Sequence, residues 1–533
     1  MIGPGPSESS SDSYNRIPYP SYPYSQTHPD HLATLGILTG ISPEPVNNCR
    51  ILELGCSSGG NLIPLAYSLP GSECLGIDFS ERAIKKAKDS ISKLSLKNCT
   101  FLEIDFTRLD RSFGQFDYII AHGIFSWVSK EIQEVLLSAC QELLSPNGIA
   151  YFSYNVYPGW HLYRVVRDFM FFHTRGSSDN EERIKSARSI IQYLSTTMPL
   201  WQPLLGQIFS HVQEQIKNSQ DGYVRHDFLE EVNEPIYFTE FVERANFHNL
   251  QFMVNANLNT PAHVPGDVAS TVLEGVEDDI EIEQYMDFLR NQFFRQTLLC
   301  RQELAIDRTI DPSRLTTLLF SSQMTAPSAH LDLISTEVME FEGAGDLSVG
   351  TAHPLTKAAL IHLINVYPKA VPYKNLVDSA WEMLAQADAF NVDNEQRSKD
   401  NNILKHNFIR FYSQSLDLMR FHTFSPGFVT GISDKPQASA VARLQAQNRQ
   451  PITNLYHQNV TMDQFPRDLM GYLDGRRRHQ ELLDILVESA GQGLLEVAVE
   501  GMPVEEPALL QQHLAPVLES QLKEMARAAL LVA

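Results

Sequence analysis

Short apolar runs alternate with stretches of helical periodicity through the first part of the chain. Runs at 50–54, 74–78, 99–104, 116–121 and 148–154 predict strands. Segments near 60–69, 80–94 and 130–144 repeat apolar residues at helical spacing and predict helices. Ser80 opens one of them, with Glu81 in the first turn and lysines later, which suits the helix dipole. Pro146-Asn147-Gly148 reads as a turn into the fifth strand. Strand and helix alternating at these lengths predict an α/β fold with a doubly wound parallel sheet. Upstream, Pro18, Pro20 and Pro23 break an aromatic stretch that cannot be a regular helix. From Pro29 a helix fits, with Thr27 or His28 at its cap and Leu32, Leu35 and Leu38 on one side.

Beyond the fifth strand the pattern turns helical. Residues 161–218 hold three helical stretches and no strand, as expected of an insertion or lid. Residues 237–258 read as a helix, a turn at Asn249 and a strand that returns to the sheet. A Pro- and Gly-containing linker at 260–275 leads to a helix predicted over 280–304, and the acidic run from Glu274 to Asp287 reads as its solvated face. Helices fit at 354–366, 373–386 and 402–417, followed by strand-like MRFHTF and FVTGI around Ser425-Pro426-Gly427, a winged-helix shape. A helical hairpin at 460–491 and a terminal helix at 506–531 complete the pattern. The expected division is an N-terminal arm and helix (1–45), a ligand-binding core (46–160), the helical insertion (161–220), a return to the sheet (221–260), a mostly helical middle region (261–345), the winged-helix-like module (346–450) and C-terminal helices (451–533).

Composition narrows this picture. A chain of 533 residues exceeds one core. The net charge of −22 argues against a non-specific nucleic-acid binder, which needs a basic face. The six cysteines show no CxxC and no metal-ligand spacing, so no metal is expected and buried free thiols are. Residues 1–13 are rich in Gly, Pro and Ser, predict disorder and lack the basic and apolar regions of a signal peptide. With no run of about 20 apolar residues, a cytoplasmic protein without membrane insertion is expected.

The chemistry lies where the strands end. ILELGCSSGGN at 51–61 is a strand, a glycine turn and the start of a helix, and CLGID places Asp78 at the end of the next strand. Ligands bind outside the carboxyl ends of such strands. That edge collects Gly55, Asp78, Asp105, His122 and Asn155. A dinucleotide site wants glycine at the third turn position, where this chain has Ser57, and Glu53 would repel a phosphate. S-adenosylmethionine brings no phosphate and tolerates both.

These residues resemble the class I adenosylmethionine-dependent methyltransferases, whose core is Rossmann-like. Glu53-x-Gly55 and its turn look like their first motif, Asp78 like their ribose-binding acid, and Asp105-Phe106 like their adenine-contacting pair. Longer segments resemble bacterial methyltransferases that carry a methyltransferase regulatory domain. These are SYPYSQTHPDHLATL, AHGIFSWV, SYNVYPGWHLYR, HDFLEEVNEPIYFTEF and QYMDFLRNQFFRQTLLCR, together spanning roughly 15–305. The resemblance implies a cofactor site of Glu53, Gly55, Cys56, Gly59, Asn61, Asp78, Phe79, Asp105, Phe106 and His122. Ser57 departs from the glycine common at that position. The family includes lysine methyltransferases acting on bacterial outer-membrane proteins, so a protein lysine is the implied acceptor.

A lysine acceptor must shed a proton, since its pKa is about 10.4 and only the neutral amine attacks. Aromatic faces can hold the cation meanwhile. Tyr157, Asn155 and Trp160 after the fifth strand are the candidates, with Tyr19, Tyr22, Tyr24, Tyr154, Phe125 and Trp127 able to join them; core packing is the competing reading for each aromatic. His122 and His28 are the candidate acid–base groups. The competing readings are cofactor contact for His122 and a helix cap for His28. A small-molecule acceptor, or a protein that binds without catalysis, remain the alternative functions, and a homodimer is one option for assembly.

Overall fold

Five strands, β1 (Arg50–Leu54), β2 (Glu73–Asp78), β3 (Cys99–Glu103), β4 (Phe116–Ala121) and β5 (Leu144–Asn155), run parallel at the heart of the computed structural model. The structure describes residues 19, 21–258, 264–327, 332–345, 347–387, 393–499, 502–504 and 506–533. The predicted disorder at 1–13, Pro18, Pro20 and part of the 260–275 linker lie outside them. The central strands are buried on both faces, as a covered parallel sheet requires. Ile51, Tyr118, Ile120 and Tyr151 face one apolar cluster, and their neighbours Leu52, Ile119 and Phe152 face another. On the first face lie α1 (Pro29–Leu38), α2 (Leu62–Ser68) and α3 (Glu81–Leu94). α4 (Lys130–Leu143) covers the second.

After β5 come α5 (Gly159–Thr174), α6 (Asn180–Thr197) and α7 (Pro203–Ile216), the three helices expected of the insertion. They share a separate small core with Val224, Phe228 and Leu229. α8 (Phe238–Phe247) and β6 (Leu250–Asn255) follow, joined through Asn249 in the left-handed region at φ 55°.

The helix predicted over 280–304 is not one element. α9 (Asp279–Arg290) stops at Asn291, a left-handed cap, and Phe294–Arg301 forms β7. β7 runs antiparallel between β5 and β6, giving the order β3-β2-β1-β4-β5-β7-β6. The acidic run is likewise not all solvated. Asp287 is 2 % exposed and grips Arg295 of β7 with both oxygens at 2.8 Å, while Glu283 binds the same guanidinium at 2.9 Å. A strand whose arginine needs buried carboxylates pulls one face of the preceding helix inward.

Further along, β8 (Leu319–Ser321), β9 (Met339–Glu342), β10 (Ser348–Thr351), β11 (Val371–Pro372) and β12 (Arg420–His422) are short. α10 (Pro354–Val366), α11 (Tyr373–Gln386) and α12 (Asn394–Gln414) pack with the sheet β11-β8-β12. The hairpin predicted between MRFHTF and FVTGI does not form. β12 pairs with β8, and Val429 turns away to donate to the carbonyl of Leu531. The C-terminal part holds α13 (Ala440–Gln447), α14 (Gln464–Tyr472), α15 (His479–Gly491) and α16 (Pro507–Arg527) around its own core.

Candidate active site

The glycine turn after β1 is held by the acid that ends β2. Gly55 sits at φ +71°, and a Cβ there would meet Ile124 at 2.5 Å, so only glycine fits. Ser57 occupies the left-handed region at φ 47°, and its N–H donates to Asp78 Oδ2 at 2.8 Å. Asp78 Oδ1 accepts from the N–H of Ser80 at 2.9 Å, and the Ser80 hydroxyl caps α3. One carboxylate thus ties the turn to the next helix, which explains how Ser57 is tolerated. Burial raises the Asp78 pKa, while these backbone donors act against that rise.

Glu53 lies deeper. Its Oε1 accepts from Asn61 Nδ2 at 2.8 Å, and its buried Oε2 has no hydrogen-bond partner among the described residues. Burial pushes its carboxyl up to about 8, against the opposing Asn61 hydrogen bond. Asn61 Oδ1 accepts from the N–H of Tyr24 at 2.9 Å and meets His457 Nε2 at 2.7 Å. The N-terminal arm is latched to the same turn. The N–H of Gly60 donates to Ser21 Oγ at 2.8 Å, and a Cβ on Gly60 would strike the Ser21 carbonyl oxygen at 2.4 Å.

Together these elements enclose a cavity of about 740 Å³ at the strand ends. Its wall includes Glu53, Gly55, Cys56, Asn61, Asp78, Phe79, Asp105, Phe106, His122, Asn155 and Trp160, all expected from the sequence. Asp105 is the most solvated of its acids. Hydrogen bonds from Thr107 hold its carboxyl below the usual range. His122 packs at a tilt on Tyr24, ring centres 3.8 Å apart, and its Nδ1 meets the Tyr151 hydroxyl at 2.9 Å. Burial lowers its pKa to about 3, so it is neutral and a poor proton acceptor. Asn155 and Trp160 each keep a buried N–H group without a partner among the described residues.

Other candidates lie elsewhere. Gly59 shapes the turn without lining the cavity. Tyr157 stacks on His161 at 4.1 Å and meets Tyr237 at a tilt, off the cavity wall. Phe125 and Tyr154 pack in the core against Phe241. His28 caps α1, its Nδ1 accepting from Asp30 N–H at 3.1 Å, and burial lowers it to about 4. A second cavity, of about 780 Å³, shares Tyr24 but has no strand-end residue of the parallel sheet, so it is not the cofactor site.

In the far half of the first cavity Tyr19, Tyr22, Trp127, Tyr163, Tyr223 and Phe293 give aromatic walls, and Asp227 and Glu230 supply carboxylates. Tyr19, Tyr22 and Trp127 are among the aromatic candidates read from the sequence, whereas Tyr163, Tyr223, Phe293 and both acids are not. Asp227 stands on a π-helical turn, Val224–Phe228, and Tyr19 donates to its Oδ2 at 3.2 Å. Burial lifts its carboxyl to about 7. The segment HDFLEEVNEPIYFTEF stood out only as a resemblance. Asp227 ends no strand, so strand spacing had no means of finding it.

Family comparisons agree with this geometry. Residues 52–150 match a methyltransferase domain, 220–301 a predicted methyltransferase regulatory domain, and 434–530 a PKMT C-terminal winged helix domain. The uncharacterized protein RP789 of Rickettsia prowazekii is 32% identical over 528 residues, covering 97% of this chain and 93% of that protein. The chain belongs to the adenosylmethionine-dependent methyltransferases that carry a regulatory domain. The structure of PKMT2 from Rickettsia typhi in complex with AdoHcy superposes with a TM-score of 0.85 at 28% identity, covering 97% of this methyltransferase and 100% of that chain. Malonyl-[acyl-carrier protein] O-methyltransferase of Bacillus cereus is 38% identical over 104 residues, 20% of this chain and 36% of that enzyme, so likeness within the methyltransferase domain alone does not choose an acceptor.

The winged-helix match, 434–530, overlaps the end of the 346–450 stretch expected to carry that shape and continues past it. The regulatory match lies partly inside the core sheet, since it includes β6 and β7. The residues present fit the cofactor. Glu53 offers an unpartnered oxygen, Asp78 retains lone pairs for hydroxyls, and among the described residues no lysine or arginine lines the cavity to repel a sulfonium.

Proposed function

We propose that this methyltransferase acts on lysine side chains of protein substrates. The carrying observation is the charge and shape of the cavity. Five carboxyl-bearing residues (Glu53, Asp78, Asp105, Asp227 and Glu230) and no described lysine or arginine line one continuous space, which suits a cationic donor at one end and a cationic acceptor at the other. The aromatic far half is the surface that an ammonium-bearing chain prefers. The likeness to PKMT2 and the PKMT winged-helix match support the same reading.

Bound adenosylmethionine supplies an electrophilic methyl group on a sulfonium. The chain's own residues then have three tasks. Glu53, Asp78 and Asp105 with Phe106 would hold the donor at the strand ends. Trp160, Tyr163, Tyr19 and Tyr22 would align the acceptor and exclude water, an effect worth up to roughly 7–11 kcal/mol when orientation is complete. Desolvation by those walls would lower the acceptor's pKa toward neutrality.

Incubating the protein with isotopically labelled cofactor and lysine-bearing outer-membrane and cytoplasmic proteins, followed by peptide mass spectrometry, tests this. Methyl groups on lysine Nζ are the expected result. Labelling confined to other side chains or to small molecules would overturn the acceptor. We further propose a cytoplasmic location, because all six cysteines are free and buried, as a reducing compartment maintains them. Among the described residues no helix is long and apolar enough to cross a membrane.

A further inference from the structure

We infer that Asp227 takes the proton that a lysine ammonium must lose before methyl transfer. This rests on the lysine reading above. Two groups weighed from the sequence for that task are poorly placed. His28 is a helix cap outside the cavity, and His122 is a buried neutral ring already engaged by Tyr151. Of the cavity carboxyls, Glu53 is bound to Asn61 beside the glycine turn, Asp78 is occupied by the turn, and Asp105 faces solvent. Glu230 in the far half is matched by Arg225 at 3.4 Å and His226 at 3.3 Å.

Asp227 remains, and its surroundings suit the task. Its Oδ2 is held by Tyr19 OH, and no ion pair with a cationic side chain engages it among the described residues. Arg167 of α5, whose charge acts on Asp227, spends its guanidinium on the backbone carbonyls of Asp227 and Glu230. The groups around Asp227 are Tyr19 and Tyr24 from the arm, Tyr223 just before its turn, His226 within it, and Arg167. Tyr24 feels both Glu53 and Asp227, so the acid stands near the junction of the two halves. Its pKa near 7 allows it to be ionised on substrate arrival and protonated afterwards.

The accounting closes. The lysine ammonium gives one proton to the Asp227 carboxylate, leaving a neutral amine. The nitrogen lone pair forms the N–C bond as the C–S bond breaks, its electron pair staying on sulfur. The product leaves as a methylammonium, and Asp227 releases its proton to solvent.

The test uses the full chain with the acceptor found by the labelling experiment above. Absence of lysine product from the wild type refutes the lysine reading and this inference with it. Where wild type is active, Asp227→Asn should bind AdoHcy within about twofold of wild type and lose about 100-fold or more in kcat at pH 7. Its rate should then climb about tenfold per pH unit as solution hydroxide takes over deprotonation. Asp227→Glu should restore part of the rate. Tyr19→Phe removes a hydrogen bond that lowers the Asp227 pKa, so the acid limb of its kcat profile should move to higher pH. An Asp227→Asn enzyme with kcat within threefold of wild type, or a Tyr19→Phe profile that does not move, overturns the assignment and leaves the lysine reading standing.

Discussion

Replacing Asp78 by Asn alters one atom at the point where turn, helix and cofactor site meet. The carboxylate receives the N–H groups of Ser57 at 2.8 Å and Ser80 at 2.9 Å. Asparagine keeps one oxygen acceptor and presents an NH₂ to the other donor, so one of those two bonds is lost. In the ribose-binding role proposed for Asp78, the hydroxyls also lose a charged acceptor for a neutral one. A hydrogen bond to a charged group is worth about 1.5–3 kcal/mol. At about 1.4 kcal/mol per tenfold, AdoHcy affinity should fall roughly 10- to 150-fold. Ser57 gains its left-handed backbone only while its N–H is fixed, so a modest loss of thermal stability should accompany the change. Calorimetric titration with AdoHcy, run beside a thermal melt, reads both. Unchanged affinity at unchanged stability would falsify the view that Asp78 holds both the turn and the ribose.

Four further outcomes follow. Glu53 sits far above its ordinary value of 4.5, so its contribution to stability is full below about 4.5 and is lost as pH rises toward 8; melts of the ligand-free protein should fall across that window, and Glu53→Gln should flatten the decline. The same group should release up to one proton on binding the cationic cofactor at pH 7, seen as a buffer-dependent enthalpy that Glu53→Gln abolishes. Gly60→Ala drives a methyl group into the Ser21 carbonyl and should displace the arm, raising protease sensitivity near residue 24 and weakening cofactor binding severalfold; an arm that stays protected refutes the latch. His28→Asn retains an N-cap acceptor, so kcat should stay within about twofold, and a large loss would return His28 to the chemistry.

Much of this was legible because parallel strands advertise themselves. The runs ending at Leu54 and Ala121 are buried on both faces, which follows from helices covering the sheet on either side. A site at strand ends then follows from topology, and most of the residues expected to hold the cofactor line one cavity there. What escaped obeys other rules. β7 was hidden because FRQTLLCR continues the apolar spacing of α9, and only Asn291 marks the break. Asp227 was hidden because a π-helical turn brings it to the cavity across 208 positions from Tyr19. The contact from His457 to Asn61 spans 396 positions and leaves no local trace. Tyr157 misled for the opposite reason: it follows the right strand but packs on its neighbour His161.

The antiparallel insertion of β7 has a consequence for synthesis. β6 emerges from the ribosome before β7, and among the described residues it pairs only with β7, which also covers the outer edge of β5. Until residue 301 is available, the nascent chain carries a raw strand edge beside a completed cofactor motif. Truncations ending anywhere between 155 and 293 should therefore aggregate rather than yield a minimal enzyme. The segment matched as regulatory is the clasp that closes the sheet, and it cannot be trimmed away to study the rest.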